Sequence, residues 1–332
     1  MSEYVASIIK TSDLKQDVAK ILENIGWSNI VRNDSTVFIK PNFTYPYYKE
    51  GITTNPEVLR ILMGTLKDRC DQVIVGESDG GNRSYSADDA FHGHNMISIC
   101  KELGVDLVNL SRKPSMYIEE PILNKRVKVQ LPKMLLEDVD CFISVPVLKV
   151  HVMTTITLSI KNLWGCYPDT MRGLHHKHLS HKLALIVKKV NPQIALIDGT
   201  YALDGHGPMF GTPKRQDLLI AANNPVVADG LGSRIMGVPP SQVDHIMVAE
   251  REGLGTTDLT DVAIQGSWEE HQQQFSINRT LIDRLSVLNF NSELLPKLVF
   301  DSPLSPYVFK ITDRLRTREE WDMSLDLKRY GK

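Results

Sequence analysis

The sequence predicts an α/β fold in which a mostly parallel sheet carries helices on both faces. Two observations lead to this prediction: short apolar runs rich in β-branched residues recur along the chain, and segments with helical spacing lie between them. Parallel strands need crossover connections, which the intervening helices provide. We therefore expect one large α/β domain over residues 1–266, single or two-lobed, and a carboxy-terminal extension over residues 267–332.

Each element has its own signal. Apolar runs bounded by turn residues predict strands over residues 4–9, 36–39, 72–75, 105–110, 140–145, 193–197, 218–221 and 261–264. Helical spacing predicts helices over 13–25, 56–66, 96–103, 178–190, 225–236 and 241–252. Ser12, Asn55 and Asn224 are the expected amino-terminal caps, and the last two precede a proline, which is favourable at the first helical position. The extension, with its short apolar clusters, is expected to cover the core or to mediate homo-oligomerisation.

The composition is that of an average globular protein, with 42% hydrophobic and 23% charged residues. It excludes a disordered, collagenous or coiled-coil chain. The formal net charge of −2 gives no reason to expect a nucleic-acid or membrane partner. The amino terminus lacks a signal-peptide pattern, and we expect a cytoplasmic protein. The four cysteines form no CxxC pair, so a built-in iron–sulfur cluster is not expected.

Polar clusters follow several predicted strands, where parallel sheets bind their ligands. Lys40, Asn42 and Thr54 lie around the start of the second helix and suit a carboxylate or phosphate. Glu77 and Asp79 stand in the glycine-rich segment VGESDGGNR, and Asp198 opens the segment DGTYALDGHG. Glycines there permit close backbone approach to a substrate. Ordinary surface loops are the alternative for all three clusters.

The segment VPVLKVHVMTTITLSIKNLWGC is the strongest catalytic candidate. It presents Lys149, His151 and Lys161 within 13 residues, followed by Asn162 as a further substrate-binding candidate. Two lysines enclosed near one histidine would push each other toward neutral forms, and a neutral lysine is a base or nucleophile. The alternative is a structural histidine whose hydrogen bonds are made within the fold, between two lysines exposed to solvent.

Histidines cluster between residues 175 and 181. His175 and His178, or His178 and His181, would share a face of a helix, so that His175, His176 and His178 are the candidates for a metal site. One of them could instead act on a substrate as acid or base, or all could be polar surface.

Six motifs in order, VFIKPNF, TTNPEVL, GESDGG, VPVLKVHVMTTITLSIKNLWGC, IDGTYALDGHGPMFGTP and ANNPVVADGLGSRIMG, resemble the domain-of-unknown-function 362 family over about residues 5–265. Many members of that family carry a ferredoxin-like segment with two four-iron clusters, which implies electron transfer for them. The cysteine run of that segment is not found in this sequence.

The fourth of these motifs, VPVLKVHVMTTITLSIKNLWGC, also resembles, more distantly, the amino-terminal domain of the nickel-pincer lactate racemase family. That resemblance implies a cofactor-carrying lysine at Lys161 and a site histidine at His151, with a nickel-binding histidine in the 175–181 cluster. Thr154, Thr155 and Thr157 stand where that family has small, glycine-rich sequence. The resemblance thus implies a shared scaffold and site location more than a shared cofactor. A metal or a nucleotide-derived cofactor is compatible with it.

Together these patterns favour an enzyme that acts on a small carboxylated or phosphorylated metabolite by proton or hydride movement at carbon, as an isomerase or epimerase does. His151, Lys149 and Lys161 are its expected catalytic residues. An oxidoreductase that works with a separate iron–sulfur or redox partner is one alternative. A non-catalytic ligand-binding or assembly protein is the other.

Overall fold

The computed structural model of the protein describes residues 4–292, 294–300 and 302–303. Its strands are β1 (Tyr4–Lys10), β2 (Thr36–Pro41), β3 (Gln72–Glu77), β4 (Asp106–Asn109), β5 (Ser115–Ile122), β6 (Lys125–Pro132), β7 (Cys141–Val145), β8 (Val147–His151), β9 (Thr155–Thr157), β10 (Ile194–Asp204), β11 (Thr212–Ala222) and β12 (Val262–Gln265). Its helices are α1 (Leu14–Asn24), α2 (Trp27–Ile30), α3 (Pro56–Lys67), α4 (Ala87–Gly93), α5 (Met96–Leu103), α6 (Met134–Glu137), α7 (Ser159–Asn162), α8 (Leu179–Val190), α9 (Pro225–Ile235), α10 (Asp244–Arg251), α11 (Leu281–Asn291) and α12 (Leu295–Phe300).

The main sheet has the strand order β12-β1-β11-β10-β7-β2-β3-β4, with β8 paired to β10 and β9 paired to β8. Most neighbours run parallel, including β2–β3, β3–β4, β2–β7, β7–β10, β8–β10 and β1–β12. Strand β11 is antiparallel to both β1 and β10. The predicted α/β fold with a mostly parallel sheet is confirmed, and each strand and helix predicted from the sequence is present.

The central strands are buried on both faces, which explains why they appear in the sequence as continuous apolar runs. In β2, Val37 and Ile39 belong to one hydrophobic cluster with Leu62 of α3. The intervening Phe38 points to the other face and joins the cluster that contains Leu183 of α8. Side chains along a strand therefore alternate between two helical layers.

The predicted helix caps are correct at two of three positions. Asn55 Oδ1 accepts a hydrogen bond from Glu57 N at 2.9 Å, and Asn224 caps α9 in the same way. The prediction for Ser12 is wrong. Asp13 caps α1, because its carboxylate accepts a hydrogen bond from Gln16 N at 3.1 Å.

Strand β8 was not predicted, because Pro146 marks the end of the apolar run that forms β7. The chain resumes an extended course at Val147, and the long strand β10 pairs first with β7 and then with β8. Strands β8 and β9 form a hairpin in which Lys149 pairs with Thr157 and His151 with Thr155. This hairpin carries two of the three predicted catalytic residues. The antiparallel pair β5–β6, a separate two-stranded sheet, was also not predicted.

The described part of the extension packs on the α/β core. Phe275 is buried, Gln273 N donates to Ile235 O at 2.8 Å, and Ser276 N donates to Asp204 Oδ1 at 2.6 Å. The boundary between residues 266 and 267 stays a prediction, and residues 304–332 lie outside the described residues. None of the described helices is long and apolar enough to cross a bilayer.

Candidate functional site

A cavity of about 530 Å³ opens beside the carboxyl ends of β2, β3 and β8. Its wall includes Lys40, Asn42, Glu77, His151, Lys161, Asn162 and His176, all of them site candidates from the sequence. The remaining wall is largely apolar and aromatic, with Phe43, Tyr85, Met153, Trp164, Met209 and Phe290. The strand ends therefore bring together residues that lie more than a hundred positions apart in the sequence.

Lys40 is paired rather than free. Its Nζ lies 2.6 Å from Glu77 Oε2 and donates to Pro41 O at 2.7 Å, and both side chains are almost fully buried. Glu77 Oε2 also accepts from Phe43 N at 3.2 Å. The predicted role of Lys40 as a direct anion ligand is therefore replaced by a buried ion pair that fixes the wall of the cavity.

Lys149 is fully buried, with its ammonium surrounded by neutral acceptors. Its Nζ donates to Asn42 Oδ1 at 2.9 Å, to Thr44 Oγ1 at 3.2 Å and to Ile52 O at 2.6 Å. Burial lowers the pKa of Lys149 well below its usual value, and the nearby charge of Lys161 adds to the effect. Lys149 lies behind Asn42 rather than on the cavity wall.

His151 is held in one tautomer by the backbone. Its Nδ1 accepts a hydrogen bond from Met153 N at 3.1 Å, and its Nε2 has no hydrogen bond to a described residue. Burial, followed by the charges of Lys161 and Lys149, lowers its pKa well below the usual value. The ring is therefore neutral near pH 7, and its single proton resides on Nε2, because Nδ1 is the acceptor.

Lys161 is the cation available to a ligand. Its Nζ makes no hydrogen bond or ion pair to any residue that the structure describes, although the side chain lies on the cavity wall. Burial and the charge of Arg172 lower the pKa of Lys161 to about 8. Such a lysine exists partly as the neutral amine near physiological pH.

The short helix α7, which carries Lys161 and Asn162, is held by a buried carboxylate. Asp229 of α9 accepts hydrogen bonds from Ser159 N at 2.7 Å and from Ile160 N at 2.9 Å. At its other end, Asn162 Nδ2 donates to Lys40 O at 3.0 Å. Burial raises the pKa of Asp229 to about 8, against the effect of the two N–H donors. The sequence analysis did not identify Asp229, although an acid in the otherwise apolar run PVVADGLG is a usable signal.

Arg172 is the second residue that sequence reasoning missed. It is buried on the cavity wall, and its Nη1 donates to Trp164 O at 3.4 Å and to Tyr167 O at 3.3 Å, while Nη2 contacts Asp79 O. These acceptors are neutral carbonyls, which do not neutralise the positive charge of the guanidinium on the cavity wall. Arg172 follows no strand in the sequence, which is why a search of strand ends does not find it.

Three predicted substrate-binding residues lie off the cavity wall and have structural partners instead. Thr54 Oγ1 donates to Val145 O at 2.7 Å. Asp79 accepts from Ala87 N at 2.8 Å and from an asparagine side chain, and Asp198 accepts from Asn55 N at 2.7 Å. These contacts connect the loops to the sheet and leave no free carboxylate on the wall from Asp79 or Asp198.

The predicted histidine face does not form, because α8 begins only at Leu179. His175 Nε2 pairs with Asp169 Oδ2 at 2.9 Å, while His176 Nδ1 contacts Gly173 O at 3.0 Å and lines the cavity. His178 adopts a left-handed conformation with φ 58° just before α8. Within residues 4–292, 294–300 and 302–303, no three His, Cys, Asp or Glu side chains come together as a metal site. The side chains of His175, His176 and His178 are thus not brought together with other donors as a metal site in the described part of the chain.

The protein is therefore an α/β protein with a cationic cavity at its strand ends. It belongs to the family described as domain of unknown function (DUF362), whose model matches residues 37–234. Lys40, Glu77, His151, Lys161 and Arg172 all fall within the matched residues.

The thylakoid-associated protein sll1697 of Synechocystis sp. is 24% identical to this chain over 257 residues, which cover 75% of this chain and 78% of that protein. A crystal structure of a Thermotoga maritima protein aligns with a TM-score of 0.30 and 11% identity, over 55% of this chain. This chain spans about half of that structure, 49%.

Proposed function

We propose that the cavity binds a small carboxylated or phosphorylated metabolite and moves a proton or hydride at one of its carbons, as an isomerase or epimerase does. The observation that carries this proposal is the unpaired ammonium of Lys161 in a cavity with an excess of cations. Arg172 lies on the same wall, and among the described residues of this wall Glu77 is the one acid. An anion entering this cavity meets a favourable potential that the protein itself does not neutralise.

The two remaining requirements of proton transfer at carbon are a base and a proton donor. Lys161 supplies the base in the fraction of molecules in which it is neutral, which a pKa of about 8 allows near pH 7, while Arg172 on the same wall holds the anionic group; the ammonium that forms then returns the proton. His151 supplies the donor, because its proton on Nε2 can stabilise negative charge that develops on an oxygen of the substrate.

Exchange of a substrate proton with solvent tests this proposal. The full chain is incubated in deuterated water with a panel of 2-hydroxy, 2-amino and 2-oxo acids and sugar phosphates, and deuterium at carbon is followed by NMR. We expect exchange in at least one compound, loss of exchange in Lys161→Met, and retention in Lys101→Met, which removes an exposed lysine of α5. Binding of acids without exchange in any compound would favour the ligand-binding alternative. The oxidoreductase alternative remains a prediction, and binding of a reduced redox partner would be its test.

Membrane association is a second candidate property, since the relative from Synechocystis sp. is named for its association with thylakoids. The observation that favours it is a set of exposed leucines in and just before the helices α11 and α12, namely Leu281, Leu285, Leu288, Leu294, Leu295 and Leu298. Cytoplasmic location is the competing proposal. Co-sedimentation with lipid vesicles decides between them, with Leu285→Gln/Leu288→Gln as the variant that should remain in the supernatant.

A further inference from the structure

A second cavity of about 480 Å³ adjoins the first and shares three wall residues with it. The shared residues are Met153, His176 and Phe290, and the rings of His176 and Phe290 lie 4.6 Å apart. These two rings form the partition between the cavities. We call the second cavity the histidine groove, because His178 and His181 line it beside His176.

The histidine groove is rich in groups that bind anions. Arg251 of α10 lies on its wall with Ser180 and Ser241, and the rings of His178 and His181 lie 6.2 Å apart. Among the described residues of the wall, Asp244 is the one acid. Burial lowers the pKa of both histidines. The positive charges of Lys177 and Lys125 add to the effect at His178, and Lys125 adds to it at His181, where Asp244 and Glu252 act in the opposite direction.

We propose that the histidine groove binds a second anionic group of the same ligand whose first anionic group contacts Lys161. The ligand is then an elongated dianion, a dicarboxylate or a phosphorylated carboxylate, that passes the partition of His176 and Phe290. This inference rests on the proposed function for the first cavity. It adds a second binding site and excludes the simple monocarboxylates as the natural ligand.

A length series of dianions tests the inference. Binding of α,ω-dicarboxylates with four to ten carbons is compared with that of monocarboxylates of the same length, by calorimetry on the full chain. We expect one dicarboxylate length to bind at least about tenfold more tightly than its monocarboxylate, because the second group binds at a high effective concentration. Arg251→Gln, and separately His178→Asn/His181→Asn, should remove this gain and leave monocarboxylate binding unchanged. Arg32→Gln, which removes an exposed arginine paired with Asp34, is the matched control.

The outcomes separate the two proposals. Monocarboxylate binding with no gain for any dicarboxylate overturns the second site and leaves the first intact. A gain that survives both groove variants overturns the assignment of the second site to the histidine groove. Failure of every carboxylate to bind the unmodified protein overturns the proposed function itself, and the groove proposal with it.

Discussion

Asn42 Oδ1 accepts a hydrogen bond of 2.9 Å from Lys149 Nζ, across 107 residues of sequence. The amide of Asn42 donates in turn to Asn162 Oδ1 at 3.1 Å. One side chain therefore joins the end of β2, the β8–β9 hairpin and the helix that carries Lys161. A buried network of this kind is stable when all of its members are paired, and it fixes the relative positions of the segments it joins.

Replacement of this central amide should be costly. Asn42→Ala leaves the buried Lys149 ammonium with one acceptor fewer and the Asn162 oxygen without its donor. We expect the free energy of unfolding to fall by ~1–3 kcal/mol. Asn33→Ala, in an exposed loop, should change it by less than ~0.5 kcal/mol. Urea denaturation measures both, and equal effects of the two variants would contradict the network described above.

The Lys40–Glu77 pair gives a second prediction. Lys40→Met leaves the Glu77 carboxylate buried without its cation, and we expect a loss of ~3–5 kcal/mol. The double variant Lys40→Met/Glu77→Gln removes both charges and should be more stable than Lys40→Met alone. A double-mutant cycle from denaturation curves gives the coupling energy. If the double variant is as unstable as the sum of the single variants, the two side chains do not interact as described.

Substitution of Lys161 should change ligand affinity, whereas substitution of Lys149 should change the stability of the fold. Lys161→Met keeps most of the apolar stem and removes a buried amine without a described partner, so the melting temperature should not fall below that of the unmodified protein. Acetate affinity should fall at least about tenfold, because a charge-assisted contact is lost. Lys149→Met instead removes the donor to Asn42 Oδ1, Thr44 Oγ1 and Ile52 O, and should lower the melting temperature. Unchanged acetate binding by Lys161→Met would contradict its role as an anion ligand.

The lowered pKa of Lys161 predicts opposite trends with pH. Above pH about 8 the lysine loses its charge, so acetate, which stays ionised, should bind more weakly as the pH rises. Stability should change in the other direction. Between pH about 8 and ~10.4 the unfolded lysine keeps its proton while the folded one loses it, so the free energy of unfolding rises with pH in that interval. Lys161→Met should lack the binding trend and show a smaller stability trend, because burial also lowers the pKa of Lys182 to about 8 and this lysine still titrates; titration calorimetry and denaturation at several pH values measure both.

The sheet and its helices could be predicted from the sequence because their signals are local. β2 and β7 are continuous apolar runs, and Asn55 and Asn224 mark helix starts through short-range hydrogen bonds. β8 was missed because a proline normally ends a strand, and here β10 is long enough to pair with strands on both sides of Pro146.

At the site, sequence reasoning identified the residue types but not their partners. Lys40, Lys149 and Lys161 look alike in the sequence, yet one is ion-paired, one is bound by neutral acceptors and one has no described partner. That difference depends on contacts between residues more than thirty positions apart in the sequence, such as the contact of Lys40 with Glu77. Arg172 lies outside any strand end, and only the folded chain shows that it faces the same cavity.

The attachment of α7 to Asp229 has a consequence for the evolution of the family. A homologous protein that lacks this carboxylate must satisfy the two N–H groups of Ser159 and Ile160 by another acceptor, or lose the turn that orients the lysine. Position 229 should therefore vary together with positions 159–162 among homologues, although it lies on a different helix. An alignment of homologues tests this expectation. If position 229 stays acidic in homologues that lack lysine at position 161, the two positions vary independently.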